Sequence, residues 1–462
     1  MAARPFLSLM LPAWLSEHEA QLMQEISNNE EGTSLQSLRE RNFKPIIDSI
    51  GDSSIVMLGE ATHGTEEFYR IRADLTKALI EQAHFDAVVF EGDVPSFSKL
   101  DRYVNDKNIP SDSMALQDTF ATFQRFPQWM WKNAAFVNFV SWVKRHNEQI
   151  TNETQYTTHL FGIDIFGLPQ SIEQVLEFLN QESDEAIARD VAVRYNKIQS
   201  YGLNLREYGN DVAASVEDSQ EEQVRGVLRI LEKQQKNAMN EATSWTAIQN
   251  AKAVVDGESY FRHLGEGRDM NFLWNIREAA MFRNLNCIRA RIATRNRAKP
   301  AKLVVWAHNS HIGGDGKRWA SFGHMCREKF GNQIFTVGLT CNKGNVRAVP
   351  TWEDNKNQME GQVMKLAPAF ELSHEYLLGQ LASSRARTVG YCFRNQSAPA
   401  KIDSKACALF SFPRRQRFIG VDYRPNDSKE LQRHYAITRL AEEYDYVIHF
   451  DRSTAVKING RY

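Results

Sequence analysis

Apolar residues fall into two patterns along this chain. Short continuous runs rich in β-branched and aromatic residues occur at Ser54–Leu58, Ala87–Phe90, His159–Ile163, Leu303–Trp306, Ile334–Leu339, Phe418–Val421 and Tyr446–Phe450. Between the first two, Phe68, Ile71, Leu75, Leu79 and Ile80 recur at helical spacing, with Glu66 and Glu67 in the first turn and Thr65 as N-cap. Runs apolar at every position, alternating with helices, predict a mainly parallel sheet covered on both faces. Residues 54–91 then form a βαβ unit with a right-handed crossover. Residues 183–298 read differently, with few strand signals and long charged helical stretches such as Glu217–Asn250. The expected fold is α/β, a mainly parallel sheet flanked by helices, with a mostly helical insertion over the strand carboxyl ends. Residues 1–182 and 299–462 are the two parts of the core, and 183–298 are the insertion.

The polar positions that break these patterns fall where an open α/β sheet binds ligands, at the carboxyl ends of its strands. The first strand runs into Glu60 and His63, the second into Glu91 and Asp93, the third into Asp164, and the fourth into His308 and His311. A lone acidic residue after a strand usually caps a helix. Four consecutive strand ends carrying such groups point to one shared rim. On the helix that follows the first strand, Arg72 is placed to reach back and stabilise an oxyanion. The WNIRE segment is expected to turn Arg277 and Asn275 inward over the same cleft.

Composition narrows the partners. The 462 residues carry 56 basic and 57 acidic side chains, a balance that gives no electrostatic footprint for nucleic acid or an anionic membrane. The basic run Arg289, Arg291, Arg295, Arg297, Lys299 and Lys302 reads as a solvated helix end stopped by Pro300. No run of eighteen apolar residues occurs, so no spanning helix is expected. The opening MAARPFLSLMLPAWLSEHEA is interrupted by Pro12 and lacks a small-residue cleavage site, which argues against a secretory leader. Five cysteines without a CxxC pair read as reduced thiols, and the expected compartment is the cytoplasm. The oligomeric state is left open.

Neither a GxSxG elbow, a phosphate-binding glycine loop nor HExxH is present, which removes the markers of serine, nucleotide and zincin chemistry. Histidine among carboxylates remains, the makings of general-base activation of water. Two alternatives use the same residues or their neighbours. One is a metal-dependent hydrolase with Glu60, His63, Glu91, His308 and His311 as ligands. The other is a non-catalytic protein holding a small apolar ligand or haem among Trp129, Trp131, Tyr69 and Phe166.

LGEATHGTEEFYRIRADLTKALIEQAHFDAVVFEGD (58–93), RFPQWMWKNAAFVNFVSWVKRHN (125–147) and FGIDIFGLPQSIEQVLEFL (161–179) follow one another along the chain. WNIREAAMFRNL (274–285), LVVWAHNSHIG (303–313), RFIGVDYRP (417–425) and HYAITRLAEEYDYVIHFD (434–451) continue the order. This series resembles the erythromycin esterase family over nearly the whole chain, more weakly in 183–250 and 343–400. The resemblance implies a cofactor-independent, macrolide esterase-like hydrolase of carboxylic ester or lactone bonds in a small-molecule substrate. It casts His63 as general base, with Glu60, Glu91, Arg72, His308 and His311 as its catalytic companions. Asp164, Trp129 and Arg277 are the expected substrate-binding residues. The chain departs from the family pattern in HIGGDG, which moves the acidic residue to Asp315, and in Thr454, where an arginine is usual.

Overall fold

A computed structural model describes residues 15–458 except 152–156, 183–184, 236–240, 296–299, 314–319, 352–358, 384–387 and 426–428. The first fourteen residues of the apolar N-terminal stretch, Arg297 and Lys299 of the basic run, and Asp315 lie outside the described residues.

Eleven strands are described: β1 (Thr33–Ser34), β2 (Ile55–Leu58), β3 (Ala87–Asp93), β4 (His159–Asp164), β5 (Leu303–Trp306), β6 (Ile334–Ala348), β7 (Gln362–Leu366), β8 (Thr388–Cys392), β9 (Arg414–Arg417), β10 (Tyr435–Thr438) and β11 (Tyr446–Ser453). Nine of them build one sheet in the order β1-β8-β11-β6-β2-β5-β3-β4, with β7 pairing β6. The six strands from β11 to β4 run parallel, while β8 and β7 are antiparallel to their neighbours. The mainly parallel sheet flanked by helices is therefore the fold. β5 enters between β2 and β3, and its register sets Leu58, Trp306 and Phe90 in one row. The residues just beyond that row emerge at one level of the rim.

Alternation along the strands divides the core. Val56, Leu58, Val88, Phe90, Val304 and Trp306 face one side, under helices Glu66–Ala83 and Ala134–Glu148. Ile55, Met57, Val89 and Val305 face the other, against Met281, Leu285, Ile288 and Ile292 of helix Met270–Arg295. A third cluster runs from Leu168 through Tyr195, Tyr208 and Val227 to Val255, and gives the helical residues a core of their own. Helix Leu168–Glu182 thus packs with that lobe, while the long helix Met270–Arg295 covers the sheet.

One expected strand needs correction, and one strand was not expected. Phe418–Val421 is not a strand. β9 stops at Arg417 and pairs β10 in a separate two-stranded ribbon, and Ile419 makes only an isolated bridge to Thr62. Its apolar run is used to bury a loop, with the Ile419 N–H donating to the Ala61 carbonyl at 2.8 Å. Conversely, β8 joins the main sheet through an antiparallel ladder with β11, although Gly390 interrupts its apolar pattern.

Candidate active site

Glu60 and His63 sit on the tight loop between β2 and helix Glu66–Ala83. Thr65 takes the N-cap position, but its hydroxyl meets that of Thr62 instead of a helix N–H. The loop is fixed by close packing: a Cβ added at Gly64 would lie 1.9 Å from the Arg347 carbonyl oxygen. His63 Nδ1 lies 2.9 Å from Glu60 Oε1, and the other Glu60 oxygen accepts from Arg72 Nη2 at 2.7 Å. The carboxylate fixes the proton of the ring on Nδ1. Nε2 of His63 has no partner among the described residues, and the side chain retains 9% exposure.

Arg72 is not placed as the expected oxyanion stabiliser would be. It is 1% exposed, with its guanidinium 4.6 Å from the Tyr69 ring centroid and 4.8 Å from that of Trp306. In this position it anchors Glu60 from behind. Tyr69 in turn donates to the His63 carbonyl at 3.0 Å.

His308 lies against His63 with ring centroids 4.8 Å apart. Its own N–H donates to Glu91 Oε2 at 2.7 Å. The Ser310 N–H reaches Nδ1 at 3.3 Å, and Nε2 lies 3.2 Å from the Ile419 carbonyl. That pattern assigns the proton to Nε2 and leaves the ring neutral. Burial pushes its pKa well below the usual histidine value, and the neighbouring His63 adds to the effect.

His311 is held differently. Nδ1 pairs with Glu278, Nε2 lies 3.0 Å from Glu91 Oε1, and the Trp274 ring stacks on it at 4.7 Å. Burial opposes the charge, but the Glu278 and Glu91 carboxylates win and push its pKa up to about 9. Arg277 Nη1 also comes within 3.1 Å of Nε2, a geometry suited to a neutral ring accepting from arginine. We assign the imidazolium, because Arg277 already has carboxylate partners while His311 lies between two buried anions. Arg277 reaches Asp164 with two donors at 2.9 and 2.8 Å and Glu91 at 2.7 Å. Burial would raise the Glu91 carboxyl, yet His311 and Arg277 hold it well below the ordinary range. Asp164 is lowered in the same way by Arg277 against its own burial.

The structure thus brings Glu60, His63, Arg72, Glu91, Asp164, Arg277, His308 and His311 to one rim. It does not bring Trp129, which is fully buried in the hydrophobic core beside Gly361 and offers no surface to a ligand. Tyr69 and Trp131 belong to the same core, whereas Phe166 is half-buried beneath the guanidinium groups of Arg125 and Arg277, so the four aromatics do not line one pocket for haem or an apolar ligand. Asn275, expected to face inward, is exposed. Asp93 is engaged by Arg125 with two donors at 2.7 and 2.9 Å. Thr454 bonds Glu67 through both its N–H and its hydroxyl.

Sequence reasoning passed over Glu278, Arg125 and the backbone of Ile419. Glu278 did leave a signal. It continues the stripe 278, 281, 285, 288, 292, whose other members are all buried apolar residues. A carboxylate at such a position requires a partner. Ile419 left none, because its role belongs to its peptide group.

For the metal alternative, donor direction decides. His308 Nε2 faces a carbonyl, both nitrogens of His311 face carboxylates, and His63 Nδ1 faces Glu60. Among the described residues no three His, Cys, Asp or Glu side chains converge as ligands. The residues present do not fit a metal ion in this arrangement.

An α/β protein with a histidine–carboxylate rim at its strand ends is the class that fold and site define. The erythromycin esterase family matches residues 80–453, and the chain belongs to that family, a membership that points to esterase-type hydrolase chemistry. Solved structures share the fold. A succinoglycan biosynthesis protein superposes with a TM-score of 0.73 at 18% identity, covering 96% of this chain and 100% of its own. A protein from Bacillus cereus gives 0.72 at 15% identity over 96% of this chain and 99% of its own. An erythromycin esterase, EreC, carrying a histidine-to-asparagine substitution and captured in its open conformation, gives 0.62 at 16% identity over 93% and 98%.

Proposed function

We propose that this protein hydrolyses a carboxylic ester or lactone bond in a small molecule, with His63 as general base. The observation that carries the reading is the ring of His63, tied at Nδ1 to a buried, arginine-anchored carboxylate and free at Nε2 among the described residues. Such a ring takes a proton from water at Nε2. The resulting hydroxide attacks the carbonyl carbon, and a tetrahedral oxyanion forms. As it collapses, the C–O bond to the alcohol breaks and His63 returns the proton to the leaving oxygen. The Glu60 carboxylate, anchored by Arg72, steadies the transient imidazolium. His308, neutral and packed on His63, walls the site without taking the proton. Family membership supports the bond class, and all five cysteines being free thiols supports a reducing, cytoplasmic setting.

His63→Ala assayed on a panel of p-nitrophenyl esters and aliphatic lactones tests this. A fall in kcat of at least ~10² with KM little changed is expected. A fully active His63→Ala protein overturns the assignment.

A further inference from the structure

Glu278 has no place in the reaction as written, yet it is the most enclosed acid of the rim. It is 0% exposed, inside helix Met270–Arg295. One carboxylate oxygen binds His311 Nδ1, and the other accepts the Phe322 N–H at 2.5 Å, at the start of helix Phe322–Phe330. A buried carboxylate with both oxygens engaged marks a built position.

The neighbours of His311 pull in opposite directions. Arg277, one residue before Glu278 on the same helix, brings Nη1 within 3.1 Å of Nε2 and disfavours a charged ring. Glu91 favours it, but shares its Oε1 with Arg277. Trp274 stacks on the ring and carries no charge. Glu278 is therefore the group that decides the contest. With it, both ring nitrogens donate. Without its charge, the ring can shed a proton and accept from Arg277 instead. Glu91 would then lose one of its two cationic partners, and its other oxygen holds the His308 N–H that sets His308 against His63.

We propose that Glu278 is a positioning residue of the hydrolytic site, keeping His311 a fixed cation so that Glu91 stays ionised and holds the His308 loop against His63. The chain of contacts runs Phe322 N–H, Glu278, His311, Glu91, His308 N–H, and it couples two helices to the strand ends. On this assignment His311 neither abstracts protons nor offers a lone pair. Its role is electrostatic.

The catalytic part of the proposal rests on the hydrolase reading, whereas the charge state of His311 does not, so two measurements separate them. The first is ring-15N-histidine NMR of the full-length protein at pH 8, with His311 assigned by its loss in His311→Asn. Wild type is expected to show both ring nitrogens protonated, and Glu278→Gln only one. The second is p-nitrophenyl acetate hydrolysis. Glu278→Gln is expected to lower kcat about tenfold or more, the scale of one lost charge-assisted hydrogen bond, with KM unchanged. A neutral His311 in the wild type overturns the proposal whether or not the variant folds. So does a Glu278→Gln protein that retains the imidazolium, or one that loses it at unchanged kcat. A wild type that hydrolyses no ester overturns the catalytic role together with the hydrolase reading, and the NMR result still decides the charge clamp.

Discussion

The difference between Arg72 and Arg277 shows how much a single residue's surroundings determine. Both are arginines on helices facing the rim, and both contact a carboxylate of the histidine cluster. Arg277 retains 13% side-chain exposure and three acceptor contacts on Asp164 and Glu91. Arg72 is closed in by Tyr69 and Trp306, with Glu60 as its one carboxylate partner among the described residues. Removing one member of a buried ion pair leaves the other charge uncompensated. Arg72→Met should therefore destabilise the fold by about 3–5 kcal/mol, read from urea unfolding, besides lowering activity through a misplaced Glu60. A loss of activity at unchanged stability would return Arg72 to the role of oxyanion stabiliser. Arg72→Lys should recover only part of the stability, because an ammonium reproduces neither the planar stacking nor the fork.

Among the elements, the loop after β2 carries the greatest steric constraint. Gly64 presses its Cα against the backbone of β6, where Arg347 N–H donates back to the Gly64 carbonyl at 3.0 Å. A methyl group there meets a carbonyl oxygen at 1.9 Å, and backbone cannot rotate aside as a side chain would. Gly64→Ala should cost about 1–3 kcal/mol by overpacking and displace His63 from His308. The expected result is a lowered melting temperature together with a kcat loss approaching that of His63→Ala, and near-wild-type kinetics would show that the loop tolerates the shift. The strands set the rest of the geometry. Because β5 lies between β2 and β3 in register, Glu60 and His308 follow two residues, and Glu91 one residue, beyond a single row of the sheet, although Glu60 and His308 are far apart in sequence.

For the whole molecule, buried histidines of opposite character predict the shape of its pH stability. Burial pushes His374 down to about 4 and His449 down to about 3, and lowers His308 well below the usual value. These rings are neutral in the folded state, so their stability is present above about pH 6.5 and is lost as pH falls toward the folded values. His311 is raised to about 9, so its contribution is complete below about pH 6.5 and is lost as pH rises through 9. Melting temperature against pH should peak near neutrality and fall more steeply on the acid side, where several rings act together, than on the alkaline side, where His311 acts alone among the histidines named. Glu278→Gln should flatten the alkaline limb and leave the acid limb in place.

Sequence alone determined the sheet's central strands and which polar residues stand at its rim. Continuous apolar runs such as Leu303–Trp306 are buried on both faces in any parallel α/β arrangement, and the residues that follow them emerge at the carboxyl ends by chain direction. His63, Glu91 and His308 were legible for that reason. Only the tertiary structure decided that β5 inserts between β2 and β3, since pairing order leaves no mark on runs equally apolar on both faces. It also decided which polar groups work from inside the fold. Arg72, Glu278 and the Ile419 peptide act through burial and long-range partners, and hydrogen bonds spanning 12, 33 and 111 positions are set by how the layers close, not by local pattern. Trp129 shows the same limit from the other side. An aromatic residue next to a polar motif has one sequence signature whether it faces a ligand or fills the core, and packing assigned it to the core.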